Sequence, residues 1–214
     1  MIVSHRHRFI FFAVPKTATH TIRQALREHK GPEDWEQQVL FGTQSLPIPE
    51  IARIQHGHVS VQQIRPHLDP DIWGSYFKFG FVRNPFDRFI STCFFLNRGN
   101  EQFADQADSF MRQALSIPRF RQRVLVRQQI LQLSDESGEV ALDFVGRYET
   151  LQQSYDEICE RIGIPTTDLA RKNPSKHAAY TEYYDDELRG IVGEFYKDDL
   201  RVFDYGFPPS DPTN

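Results

Sequence analysis

One stretch near the start of this chain constrains its folding more than any other. It is Phe9-Ile10-Phe11-Phe12-Ala13-Val14-Pro15-Lys16-Thr17-Ala18-Thr19-His20-Thr21. The apolar run from Phe9 to Val14 reads as a buried strand, and Pro15 stops it. Ile22, Ala25 and Leu26 follow at helical spacing, so the loop opens straight into a helix. A strand, a tight loop and a helix N-terminus together make an anion site. Unpaired backbone N–H groups and the positive end of the helix dipole both point at whatever occupies the loop. Thr17, Thr19 and Thr21 add hydroxyl donors, and Lys16 adds a full positive charge. The loop therefore reads as a cradle for a phosphate or a close chemical relative. It is not the G-x-x-x-x-G-K-[ST] loop of ATPases, because it has no glycine and its lysine precedes the hydroxyl run. A capped helix after a core strand, with Lys16 on the surface, fits the same residues.

Composition narrows the function. The net charge of −4 argues against a nucleic-acid binder by bulk charge, so any anion site must be local. At 214 residues with 18 Phe, one domain over 1–214 with a packed interior is expected. Cys93 and Cys159 fall on apolar faces of predicted helices and read as core thiols. The Phe9–Val14 run is too short for a signal segment or a membrane span, and a cytoplasmic protein is the expectation.

Taken in order, the first helix spans about Thr19 to His29, followed by a polar connection from Gly31 to Pro49 with one helical turn around Trp35 to Leu40. A short helix is expected from Val61 to His67 and a second strand from Tyr76 to Val82, stopping at Arg83-Asn84-Pro85. Phe86, Phe89, Ile90, Cys93 and Phe94 mark one face of the next helix. Two further helices are expected from Gln102 to Leu115 and from Arg119 to Leu133, the second half exposed. Leu142 to Gly146 reads as a third strand. Leu151, Tyr155, Ile158, Cys159 and Ile162 form a helical stripe closed by Gly163 and Pro165. A last helix carries Leu188, Ile191, Val192, Phe195 and Tyr196. Strands separated by helices predict an α/β domain with a mainly parallel sheet, and ligands bind beyond the carboxyl ends of such strands. Lys16 and Arg83 both fall there.

Arg83 follows the second strand, and Ser91 lies within the next helix. An arginine fork gives two charge-assisted hydrogen bonds to a phosphate, and a serine hydroxyl adds a third donor. An Arg83–Asp87 pair with Ser91 as an ordinary helix residue accounts for the segment equally well. His56-Gly57-His58 is the other polar cluster, and two loop histidines beside a glycine turn would explain it.

These residues resemble the sulfotransferases that use 3′-phosphoadenosine 5′-phosphosulfate, in the branch that sulfates carbohydrates. In that family a Pro-Lys-Thr loop holds the 5′-phosphosulfate, matched by Pro15-Lys16-Thr17-Ala18-Thr19. An Arg followed eight positions later by Ser holds the 3′-phosphate, matched by Arg83-Asn84-Pro85 and Ser91. Phe144-Val145-Gly146-Arg147-Tyr148-Glu149 is similar to the family's third-strand signature. His56-Gly57-His58 resembles the paired histidines of the uronyl 2-O-sulfotransferases, where the second histidine is the base. The resemblance spans about Phe9 to Tyr205 and implies a P-loop-NTPase-like three-layer α/β fold with a central mainly parallel sheet flanked by helices.

The resemblance also assigns roles. It implies His58 as base with His56 in support, and Lys16 neutralising charge on the leaving phosphate. Lys16, Thr17, Ala18, Thr19, His20 and Thr21 would line the 5′-phosphosulfate loop, and Arg83 and Ser91 the 3′-phosphate site. Ser175 and Lys176 belong to a basic loop, Arg171 to Lys176, that resembles the segment closing over the nucleotide. His20 departs from the family pattern by interrupting the hydroxyl run. The chemistry fits: sulfuryl transfer, like phosphoryl transfer, relies on positioning and charge stabilisation, and histidine titrates closest to neutral. The implied donor is 3′-phosphoadenosine 5′-phosphosulfate, leaving as adenosine 3′,5′-bisphosphate, with no metal, and the acceptor is a hydroxyl, on a glycan or sugar-containing molecule. A magnesium-dependent nucleotide kinase of the same fold, or a module that binds a bisphosphonucleotide without turnover, are the competing readings.

Overall fold

The structure is a computed structural model that describes residues 1–38, 46–169 and 179–208. The chain divides into two compact units, Met1–Val82 with Gln129–Lys172 and Arg83–Gln128 with Asn173–Asn214.

The first unit is built on a five-stranded sheet in the order β3-β1-β2-β4-β5. The strands are β1 (Ile2–Ser4), β2 (Phe9–Phe12), β3 (Trp35–Glu36), β4 (Phe77–Val82) and β5 (Phe144–Arg147). β2, β4 and β5 pair in parallel, while β1 is antiparallel to both β2 and β3. Four of the five strands therefore run one way, as the alternation of strands and helices predicts for an α/β domain. Phe9, Phe11, Phe79 and Phe81 share one buried cluster with Ile22 and Leu26 of the helix Thr19–Arg27 and with Tyr155, Ile158 and Ile162 of the helix Leu151–Ile162. On the opposite face, a side chain at Gly80 of β4 would meet Leu133 and Leu142. Cover on both faces explains why β2 is apolar at every position.

The second unit is helical and aromatic. Its core joins the helices Pro85–Leu96, Ala107–Ser116 and Asp186–Phe195 through Phe86, Phe89, Phe103, Met111, Leu188 and Tyr196. The Phe207 ring stands edge-on to those of Phe86 and Tyr184, so the segment after the last helix packs as a tail. Both cysteines are buried and free, and burial raises the Cys93 thiol pKa.

Three local expectations need correction. The expected helical turn at Trp35 begins as a strand, β3, because Trp35 and Glu36 pair with β1. β1 itself was missed: it is three residues long and its turn is held from a distance. The Asp34 carboxylate accepts from Ser4 Oγ (2.6 Å), His5 N (2.7 Å), Arg6 N (3.1 Å) and Gly31 N (2.9 Å). The single helix expected over Arg119–Leu133 is two short ones, Pro118–Arg121 and Ile130–Leu133. Between them the carbonyls of Leu125, Val126 and Arg127 accept from the buried Arg88 guanidinium, and Tyr196 Oη donates to Val126 O at 2.6 Å. Carbonyls drawn to side chains cannot serve the ladder of a continuous helix.

Burial alone would raise the Asp34 pKa, but the hydrogen bonds from Ser4, Gly31, Arg6 and His5 hold it below the ordinary carboxylate range. Its stabilisation is therefore full above the unfolded value of about 3.9 and lost as pH falls below it. Asp34→Ala should cost about 2–3 kcal/mol at pH 7, the scale of lost hydrogen bonds to a buried charge, measurable by urea denaturation.

Candidate functional site

After β2 the chain stays buried through Pro15 and then turns sharply. Lys16 and Ala18 have φ of 66° and 60°, two left-handed non-glycine residues within three positions. Each costs roughly 1–2 kcal/mol relative to ordinary backbone. A left-handed residue flanking a right-handed one turns successive N–H groups toward one point, a concave seat for an anion. The helix Thr19–Arg27 starts at once, with Ala18 as its cap, no side chain accepting at that cap and no acidic residue in its first turn. No carboxylate of the helix's own first turn therefore offsets its positive end. Thr17 is almost fully buried and its hydroxyl donates to Val14 O at 2.9 Å, so its one proton closes the loop. Thr19 and Thr21 are half-buried, whereas His20 is exposed on the first turn.

The histidine pair lies in the same unit. The His58 Nδ1 is 2.6 Å from the carbonyl oxygen of Ala13, three residues before Lys16. A carbonyl can only accept, so Nδ1 carries the proton and Nε2 holds the lone pair of the neutral ring. Burial lowers the His58 pKa from 6.5 to about 3, with the Ala13 bond opposing and the Met1 amino group, Arg23 and His56 adding to the fall. The ring is therefore neutral at pH 7, the form that accepts a proton. His56 supports the turn: its Nδ1 accepts from the His58 backbone N at 3.3 Å.

Gly57 is clamped between them. Its carbonyl accepts from Arg23 Nη2 at 2.9 Å and from the Met1 nitrogen at 2.6 Å. A Cβ at this position would lie 2.3 Å from Gln37 O and 2.6 Å from Arg23 Nη2. Arg23 sits on the helix that follows the Lys16 loop, so one helix carries the anion seat at its start and the clamp on the histidine turn one turn later. Sequence reasoning missed Arg23, because a single arginine beside an apolar stripe looks like a surface residue. It also missed Gln132, which is buried and donates to Ala13 O at 2.9 Å.

In the second unit, Arg83 is 4 % exposed, and its Nε and Nη2 both donate to the Asp87 carboxylate at 2.7 Å. Asp87 and the buried Ser91 stand four residues apart on the helix Pro85–Leu96, on one face. Arg83 is thus an arginine oriented by a carboxylate. Ser175 and Lys176, with Arg171 and Lys172, lie outside the described residues. No group of three or more His, Cys, Asp or Glu is placed to hold a metal ion among the described residues, and no described helix is long and apolar enough to cross a membrane.

Gly57→Ala should destabilise by about 1–3 kcal/mol, because the Cβ meets a backbone carbonyl that cannot swing away. Denaturant midpoints at pH 7 measure it. His58 adds a pH term. Between about 3 and 6.5 the unfolded chain binds a proton at His58 that the folded chain does not. Stability from the neutral ring is full above 6.5 and declines as pH falls toward 3. His58→Gln should flatten this decline, read from midpoints at pH 7 and pH 4.5.

No curated protein matches the chain, and no solved structure does. A family model described as "Sulfotransferase family" matches residues 1–206. A match over nearly the whole chain, on the sheet and loops just described, makes this protein a member of the sulfotransferase family, an enzyme that takes its sulfuryl group from 3′-phosphoadenosine 5′-phosphosulfate.

Proposed function

We propose that this enzyme sulfates a hydroxyl on a sugar-bearing acceptor, with His58 as general base and Lys16 beside the departing phosphate. The observation that carries the reading is the His58 ring itself. It is held Nδ1-protonated by the carbonyl of Ala13, at the root of the loop that carries Lys16. The bound donor supplies the sulfuryl group. The residues of the loop fit its 5′ end: backbone N–H groups gathered by Lys16 and Ala18, an uncapped helix start and one ammonium group.

In this reading the acceptor oxygen bonds to sulfur as the sulfur–oxygen bond to the 5′-phosphate breaks, and the acceptor proton passes to Nε2 of His58. Lys16 meets the negative charge that grows on the departing oxygen. His56 keeps the turn in place through the His58 backbone N. Arg83 and Ser91 hold the 3′-phosphate. The bidentate contact to Asp87 fixes the guanidinium plane, which reduces the entropy lost on binding a phosphate. A depressed His58 pKa also has a consequence: an anionic donor beside the ring raises it, strengthening the base only when the donor is bound.

Calorimetry with adenosine 3′,5′-bisphosphate and adenosine 5′-monophosphate tests the donor assignment. Arg83→Ala should weaken the bisphosphate by about 10–100-fold and leave the monophosphate unchanged. Equal losses for both ligands would overturn the 3′-phosphate role. With radiolabelled donor and a panel of neutral and uronic-acid glycosides, His58→Ala should lower transfer by about 10²–10⁴-fold with bisphosphate affinity intact.

A further inference from the structure

The Ala13 carbonyl oxygen accepts twice. His58 Nδ1 donates to it at 2.6 Å and Gln132 Nε2 at 2.9 Å, from a point 119 residues further along the chain. The same Gln132 nitrogen lies 3.5 Å from the carbonyl oxygen of Val59, the residue after His58. One buried amide thus touches both ends of the link that holds the histidine: the carbonyl it binds and the backbone it sits on. A carbonyl oxygen has two acceptor lone pairs, and here each has a donor. With only His58 as donor, a small tilt of the Ala13 peptide would lengthen the Nδ1 bond and weaken the preference for the Nδ1–H tautomer. With Gln132 in place, the oxygen has one direction.

We propose that Gln132 is a positioning residue for sulfuryl transfer, holding the Ala13 carbonyl in the direction that keeps His58 protonated at Nδ1 and its Nε2 available as the proton acceptor. The catalytic half of this statement rests on His58 being the base; the positioning half does not. The charged and titratable groups around the ring are the Met1 amino group, Arg23 and His56, with Glu36 paired to Arg23 at 3.3 Å. These groups set the charge around the ring, while Gln132 holds the direction of the Ala13 oxygen.

The test is long-range ¹H–¹⁵N spectroscopy of histidine rings in the full chain, with His58 identified by its absence in His58→Gln. The wild-type ring should show the ¹⁵N shifts of a single Nδ1–H tautomer from pH 5 to pH 8. Gln132→Met, of similar length and without a donor, should give averaged shifts of mixed tautomers. Gln132→Glu keeps the volume but puts an acceptor against the carbonyl and a negative charge near the ring. It should raise the His58 titration midpoint by about one pH unit or more. Wild-type ring shifts and midpoint in both variants, with amide spectra showing an intact fold, would overturn the proposal. A His58→Ala variant that transfers sulfuryl at the wild-type rate would overturn the base reading and the catalytic half with it, while the ring spectra judge the positioning half separately.

Discussion

β2 and β4 lie side by side and parallel, and nearly every residue of both is buried, so neither strand leaves a face to water. Two strands of this kind cannot be joined by a hairpin, and their faces must be covered by helices. Helix Thr19–Arg27 supplies part of that cover, which forces the chain to leave β2 and enter the helix within a few residues. The strained pair Lys16 and Ala18 is the result of making that turn without glycine. Burial of the phenylalanine-rich strands and the helix stripe holds a loop that would relax by itself, in a backbone geometry suited to an anion.

Beneath the histidine turn lies a buried polar network that runs against the chain's overall negative charge. Glu36 is fully buried and pairs with Arg23, Arg27 and Lys30, three cations around one carboxylate. Burial brings the Arg23 pKa down to about 10, with Glu36 the main opposing influence. The positive charge of Arg23 helps keep His58 neutral. Gly57 is the point where this network touches the site, because its carbonyl takes the Arg23 hydrogen bond and no side chain fits there.

Much of this was legible in one dimension. Apolar runs bounded by Pro and Gly located β2 and β4, and the helical stripe from Leu151 to Ile162 was recovered with the observed ends. The Lys16 loop and Arg83 stood out because charged or hydroxylated residues followed apolar runs at once, and the histidine pair only through its resemblance to the paired histidines of the uronyl 2-O-sulfotransferases. β1 was hidden because three residues are too few for periodicity, and its turn depends on Asp34, about thirty residues away in the chain. The broken helix before Leu133 was hidden for a related reason. Its sequence has good helix formers, but the Arg88 guanidinium and the Tyr196 hydroxyl take the carbonyls that helix would need.

By itself, the sequence determined the parallel strands β2, β4 and β5, the main helices between them, the strand–loop–helix turn at Lys16 and the residue types available for transfer chemistry. These depend on local pattern: apolar periodicity, proline and hydroxyl placement, and the eight-residue spacing of Arg83 and Ser91. The tertiary structure alone decided which His58 nitrogen carries the proton, why position 57 has no side chain, and that Arg23 and Gln132 bond to the backbone around His58. Each of those follows from a hydrogen bond or a close approach between residues 14 to 119 positions apart, and no local pattern records such a contact.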